Sequence, residues 1–518
     1  LTKSINPLIR LGFPNPRNLR IRRLSGLLLA TGAPTSRIQA EGGAQRVDLD
    51  RWTGGLASRL GDMVEDVTGV FREPVVRLGV TGLSRAGKTV FITSLVANLL
   101  ERGRMPQLRA AAEGRILAAF LQPQPDPTIP RFAFEDHLDS LSGPNPTWPQ
   151  STRSISTLRL SLRIAPSGLF SGLAGTGAVH IDIVDYPGEW LLDLPLMSQT
   201  FAEWSATALA AARSPARESH AAAWLAEADA TDSGRALTET TARKLAATFT
   251  AYLSTARLAG LSRVAPGRFL MPGDLEGSPA LTFSPLLPPD RAGSDSLWRA
   301  FEARFEAYKR VVVEPFFRNH FARLDRQVVL VDALGAIADG PRAVDDLRTA
   351  MAEILSCYRP GARSWLAPIL GRKIDKILFC ATKADHLHHS QHPQLAAFTE
   401  ALVREARDRA QFSGAATGAL SIASVRATVE QTVERDGRTF DLVRGRSLDT
   451  GEEIALFPGK LPADPAELLA AARQGAGTWL DAGYANTRFA PPRLKGGEGL
   501  PHIRLDRAAE FLIGDRLR

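Results

Sequence analysis

The chain has 518 residues, 44% of them hydrophobic, and a formal net charge of +8. That is enough apolar material for a large buried core and more than one domain needs, so two domains, or one domain with a large insertion, are expected. Its two cysteines, Cys357 and Cys380, lie in apolar surroundings and read as buried thiols; they exclude a disulfide framework and cannot build a zinc site alone.

Residues 1 to 50 read as a disordered arm rich in Arg, Gly and Pro. Within it, Lys3, Arg10, Arg17, Arg20, Arg22 and Arg23 stand without an acidic neighbour, a basic run able to make weak contact with an anionic surface. No stretch of about 18 consecutive apolar residues is present and no export signal is recognisable, so the expectation is a cytoplasmic protein, which the arm could bring to the inner membrane. Residues 52 to 70 read as a short amphipathic helix.

After Pro74 an apolar run over 75 to 80 predicts a strand, followed by a Gly-rich turn and a helix over 88 to 102. The turn, Gly82-Leu83-Ser84-Arg85-Ala86-Gly87-Lys88-Thr89, fits G-x-x-x-x-G-K-[ST] in full. Its glycines let backbone N–H groups point at phosphate oxygens, Lys88 adds a point charge, and the Thr89 hydroxyl suits Mg²⁺. Val90 opens the helix beside them, and Arg85 inside the loop could reach phosphate or an acidic neighbour.

Two strands are predicted over 152 to 164 and 178 to 184, joined by a Gly-rich hairpin. The second runs into Asp185-Tyr186-Pro187-Gly188. Asp185 can hold Mg²⁺ through water, the Gly188 N–H can meet a γ-phosphate, and Glu189 stands where a residue could orient the attacking water. A further Mg²⁺ ligand is expected between the phosphate-loop helix and these strands, with Thr147, Ser151 and Thr152 as candidates and Thr152 favoured.

Residues 197 to 228, 233 to 260 and 297 to 324 then read as long helices, the last disturbed at Pro315, with a Pro/Gly-rich loop between. Phe301, Phe305, Tyr308, Phe316 and Phe317 read as core between helices. The α/β texture resumes with strands over 327 to 332, 374 to 381 and 418 to 423, helices over 344 to 357 and 395 to 410, a hairpin over 432 to 446 turning at 436–437, and a last helix over 506 to 517.

Thr382-Lys383-Ala384-Asp385 follows the strand over 374 to 381. A carboxylate there accepts two parallel hydrogen bonds from guanine N1–H and its 2-amino group, a pair adenine does not offer. The Lys383 stem can lie over the base, and Ala423, Ser424 and Val425 are placed to turn backbone N–H groups toward the guanine oxygen. The segment HLHHSQH over 386 to 392 holds four of the nine histidines; lacking cysteine and helical spacing, it reads as solvent-facing or helix-start histidines rather than a metal site.

The order GLSRAGKT, DYPG, TKAD is similar to the translation-factor-related class of P-loop GTPases. More closely, residues 79 to 100, 181 to 196 and 381 to 387 resemble the YcjX-like family of bacterial P-loop GTPases. The resemblance implies a Ras-like α/β P-loop domain, its sheet mostly parallel with one antiparallel strand, carrying a helical insertion. It also implies a GTPase using Mg²⁺ and GTP/GDP, stress-associated and linked to a small bacterial membrane protein. On that frame residues 72–190 and 326–518 form the GTPase domain, 191–325 the helical insertion, and no specific nucleic acid is expected. Lys88, Gly188 and Glu189 take catalytic roles, Gly82 to Val90 bind phosphate, Thr382, Lys383, Asp385 and 423–425 bind the base, and Thr89, Thr152 and Asp185 hold the metal. The intervals from Gly82 to Asp185 and from Asp185 to Asp385 both exceed the Ras-like pattern. An ATPase on the same loop, a nucleotide-gated scaffold with little turnover, and a basic-arm adaptor are the alternatives.

Overall fold

The run after Pro74 forms strand β1 (Val75–Gly82), buried over almost its whole length as expected of a strand covered on both faces. In the computed structural model, described residues are 73–518 apart from 84, 151–153, 167–175, 357–373, 413, 436–437, 477–478, 480–483, 485–486 and 496–498. The basic arm, the helix expected over 52 to 70, Cys357, Ser84, Ser151 and Thr152 therefore lie outside the described residues.

Helix α1 (Lys88–Glu101) follows the turn. Next come β2 (Ile116–Gln122), α2 (Phe134–Ser142), β3 (Ser156–Ile164) and β4 (Gly177–Asp185). An eleven-residue 3₁₀ segment, Gly188–Ser198, leads into helices α3 (Phe201–Ala212), α4 (Glu218–Ala230), α5 (Glu239–Leu258), α6 (Leu297–Tyr308) and α7 (Glu314–Asn319). The chain then runs through β5 (Arg326–Val331), α8 (Ala333–Asp339), α9 (Pro341–Ser356), β6 (Lys376–Ala381), α10 (His392–Leu402), α11 (Arg404–Phe412) and β7 (Ala416–Ser421). Strands β8 (Thr428–Arg435), β9 (Arg438–Arg446) and β10 (Glu453–Leu456), then helices α12 (Pro465–Arg473) and α13 (Leu505–Ile513), complete the order.

Seven strands make one sheet in the order β2-β3-β4-β1-β5-β6-β7. β4, β1, β5, β6 and β7 run parallel, and β3 opposes both its neighbours. This is a Ras-like α/β P-loop fold with one strand reversed. After β1 the chain builds one side of the sheet and then returns to build the other, so a crevice opens at the carboxyl end of β1, where such sheets bind ligands. Strands β8 to β10 form a separate antiparallel sheet.

The helices between β4 and β5 share an aromatic core. Phe301, Phe305, Tyr308, Phe316 and Phe317 are all buried, as their spacing predicts. Trp204 stacks on Phe305 at 5.0 Å and Trp224 on Tyr252 at 5.3 Å, and the buried Trp224 indole donates to Ser284 Oγ at 2.8 Å. The single helix expected over 197 to 228 is instead two. Thr200 caps α3 in a reciprocal pair with Glu203, and Pro215, lacking an N–H, falls in the break before α4. Near Pro315 the helix widens into a π turn, Lys309–Val313, which accommodates a proline ring that would crowd the Val311 carbonyl. The helix expected over 395 to 410 divides at Val403.

One buried ion pair ties the helical block to α9. Arg217, 4% exposed, donates to Asp346 Oδ1 at 2.5 Å and to the Arg263 carbonyl at 2.8 Å. Asp346 Oδ2 accepts from the backbone of Ser262 at 2.5 Å and Arg263 at 3.1 Å. Removing one partner strands the other charge, so Asp346→Ala should cost about 3–5 kcal/mol in urea unfolding, with the Arg217→Met/Asp346→Leu pair losing much less. Equal losses from the single and double variants would refute this anchor.

Candidate functional site

Gly82 ends β1 against Leu330: a Cβ there would lie 2.7 Å from the Leu330 carbonyl and 2.9 Å from Ala86 Cβ. Arg85 (φ 66°) and Gly87 (φ 79°) take left-handed conformations that curl the loop into α1. Gly87 is the N-cap of α1 without a side-chain cap, and the first turn holds no acidic residue. The positive end of α1 and its first N–H groups are thereby presented to whatever fills the crevice. Lys88 Nζ donates to the Gly82 carbonyl at 3.0 Å, which holds the ammonium across the loop.

A cavity of about 750 Å³ opens here, lined by Arg85 to Val90, by Thr382, Lys383 and Asp385, and by Ala423 to Val425. Three motifs far apart in sequence thus share one concave site of a size suited to a nucleotide. Trp148, Pro149 and Gln150 line it beside Thr89, whose Oγ1 is 3.5 Å from the Gln150 carbonyl. Thr147 is exposed and does not line this cavity.

The segment after β4 lies against the loop. Asp185 is 1% exposed at the strand's end, and Tyr186 is buried, its hydroxyl accepting from Gln327 Nε2 at 3.2 Å. Gly188 approaches so closely that a Cβ on it would sit 2.0 Å from the Gly82 carbonyl oxygen. Gly82 and Gly188 face each other beneath the main cavity rather than lining it. Glu189 is 3% exposed, and its Oε1 pairs with Arg257 at 2.8 Å near the end of α5. The next residue of that helix, Leu258, accepts through its carbonyl from Arg85 Nη2 at 2.9 Å. One helix end of the insertion therefore touches both the phosphate loop and the segment following DYPG.

On the TKAD side, Lys383 (φ 60°) sends its ammonium to Asp332 Oδ2 at 2.5 Å, and Asp332 Oδ1 accepts from the Gly335 N–H at 3.1 Å as it caps α8. That anchor draws the lysine stem along the cavity wall. Asp385 is buried, its Oδ2 accepting from the Ala427 N–H at 2.9 Å and its carbonyl from the Thr428 hydroxyl. Each carboxylate oxygen accepts more than one bond, so acceptor capacity toward a base edge persists. Ala423 lines the cavity, and its N–H donates to the Ile503 carbonyl at 3.1 Å. Ser94 Oγ donates to the Ser424 carbonyl at 2.5 Å and ties this loop to α1.

Ser84 and Thr152 lie outside the described residues. Arg257 and Asp332 were not singled out by the sequence: Asp332 ends an apolar strand, a legible signal, whereas nothing in the Ala-rich helix marks Arg257. In the histidine segment His389 is exposed and His392 opens α10, both as expected, whereas His388 is buried. Cys380 is buried, and burial pushes its thiol up.

A Ras-like sheet with a phosphate loop at the carboxyl end of its central strand defines a P-loop nucleotide-binding protein. Residues 76–517 match the model of the YcjX-like family, DUF463. Two curated relatives are named Ras-like GTPase YcjX. The one from Escherichia coli is 38% identical over 455 residues, covering 86% of this chain and 96% of its own. The one from Shewanella oneidensis is 32% identical over 467 residues, covering 85% and 94%. This chain belongs to the YcjX-like family. Among the described residues no helix is long and apolar enough to cross a membrane.

Asp193, in the 3₁₀ segment, is fully enclosed: Oδ1 accepts from the Gly267 N–H and Oδ2 from the Tyr308 hydroxyl, each at 2.6 Å. Burial pushes its carboxyl up from 3.8 to about 6, against the opposing hydrogen bonds from Tyr308 and Gly267. A pKa raised by folding stabilises the protein most below the unfolded value, and that contribution is lost as pH rises through about 6. Wild type should therefore lose about 2 kcal/mol between about pH 4 and 7 relative to Asp193→Asn in urea unfolding. Parallel pH profiles for the two proteins would contradict this assignment.

Proposed function

We propose that this protein binds GTP with Mg²⁺, hydrolyses it slowly, and uses residues 191–325 to report the nucleotide state. The observation that supports this most is the single cavity shared by the phosphate loop, TKAD and residues 423–425, touched at its rim by one end of α5. In this reading Arg85 to Val90 cradle the phosphates, Lys88 balances their charge, and the γ-phosphate draws the Gly188 N–H up from beneath the cavity. Thr89 and Asp185 present hard oxygen donors at the same strand end, a set that fits Mg²⁺. Bound there, the ion supplies positive charge to the phosphate oxygens.

Asp385 reads the guanine edge, Lys383 covers the base, and Ser424 and Val425 carry the backbone contacts. Glu189 orients the attacking water once Arg257 leaves it for the charge at the γ-phosphate, and the α5 end then shifts with the nucleotide. The family likeness suggests service in a bacterial envelope or general stress response. The Arg257–Glu189 pair favours a second reading, a nucleotide-gated scaffold with negligible turnover, because the carboxylate is engaged and buried.

Calorimetric titration with GDP and ATP in Mg²⁺ tests the base assignment. Tight GDP binding, undetected ATP binding and a swing toward XDP in Asp385→Asn are expected. Equal ATP binding, with no change in the variant, would replace this reading by an ATPase. Glu189→Ala should lower kcat about a hundredfold with little change in GDP affinity. Unchanged turnover would leave Glu189 as the partner of Arg257 only and promote the scaffold.

A further inference from the structure

Directly after the TKAD loop, His388 and His389 converge on Glu430 of β8, a diagonal cross-strand neighbour of Asp441 of β9, which itself pairs with Thr432. One ligand atom from each of His388, His389 and Glu430 lies within 4.8 Å of the other two. His389 Nδ1 is 2.5 Å from Glu430 Oε2, and His388 Nε2 is 3.7 Å from the same oxygen. A tetrahedral ion with bonds of about 2.1 Å sets its ligand atoms about 3.4 Å apart, within the span seen here.

The surroundings orient the ligands. His388 Nδ1 is 2.9 Å from Ser390 Oγ and 3.5 Å from Asp441 Oδ2, and Ser390 Oγ is itself 3.3 Å from Asp441 Oδ2. His388 Nδ1 also accepts from the Ser390 N–H at 3.4 Å, and these contacts fix the ring with Nε2 facing Glu430 Oε2. Polar groups behind a histidine, here Ser390 with Asp441, are the arrangement that orients imidazoles at metal centres. Arg426 Nη2 stands 3.6 Å from the other oxygen, Oε1, so Oε2 is the one directed at the rings. Two borderline imidazoles and one carboxylate suit Zn²⁺, Co²⁺ or Ni²⁺ rather than Mg²⁺ or Ca²⁺.

We propose that His388, His389 and Glu430 bind one transition-metal ion of the zinc type, with Asp441 and Ser390 positioning His388. The ion joins the loop that follows Asp385 to β8, whose approach residues Ala427 and Thr428 already hydrogen-bond to Asp385. It therefore ties together the two segments that position the base-reading carboxylate. That coupling rests on the guanine reading above; the metal site does not.

The test uses the full chain without a polyhistidine tag, stripped of metal by a chelator and titrated with Co²⁺ and Zn²⁺. One equivalent of Co²⁺ should give the intense visible bands of a four-coordinate site, displaced by Zn²⁺. The near-isosteric Glu430→Gln should bind at least tenfold more weakly, and His388→Ala/His389→Ala should bind no stoichiometric ion. Circular dichroism shows that each variant is folded, and His180→Ala, remote from the site, should bind as wild type. Absence of a stoichiometric Co²⁺ site in wild type, or equal affinity in folded Glu430→Gln, overturns the proposal. A GDP affinity that shifts with Zn²⁺ in wild type but not in Glu430→Gln supports the coupling. Unchanged GDP affinity at a loaded site overturns the coupling and keeps the site.

Discussion

Backbone at Gly188 lies on the Gly82 carbonyl with no room for a side chain, a hypothetical Cβ falling 2.0 Å from that oxygen. The contact joins the carboxyl ends of two parallel neighbours, β4 and β1, so the register of the sheet sets the distance between DYPG and the phosphate loop. Asp185 pairs with Val80 in that register, which brings its carboxylate to the same end of the sheet as Thr89. A displacement of either strand end would be felt at once by the other, because packed backbone has no compliant side chain to absorb it.

From this contact the geometry spreads into the helices. Glu189 follows Gly188 and is held by Arg257, while Gly267 leaves no space beside the Glu189 carbonyl, a Cβ there lying 1.9 Å from it. Four residues further on, Asp193 binds Gly267 and Tyr308, and Arg217 with Asp346 closes the other side of the block onto α9. The 3₁₀ segment is thus bonded to the helical block at Glu189, Trp190 and Asp193.

Much of this was legible in the residues. The parallel strands announced themselves as apolar runs, each phosphate or base motif stood at a strand end, and β3 showed its alternation. β2 and α2 were missed, because Ile116–Gln122 is short and half-exposed at the sheet edge and Phe134–Ser142 is brief. Helix breaks at Pro215 and Val403 were overridden in the reading by the surrounding alanine and leucine content. The Arg257–Glu189 pair spans a sequence separation that no local pattern encodes. Convergence of His388 and His389 on Glu430 was likewise invisible, since it depends on how the second sheet folds beside the TKAD loop.

Hydrogen exchange of the full chain in Mg²⁺, with GDP and with a non-hydrolysable GTP analogue, tests the central claim most directly. The account predicts that amides of 188–198 and those of 253–260 at the end of α5 change protection together between the two states. Identical exchange in both segments, with both nucleotides bound, would contradict the claim that the insertion reads the γ-phosphate through Glu189 and Arg257.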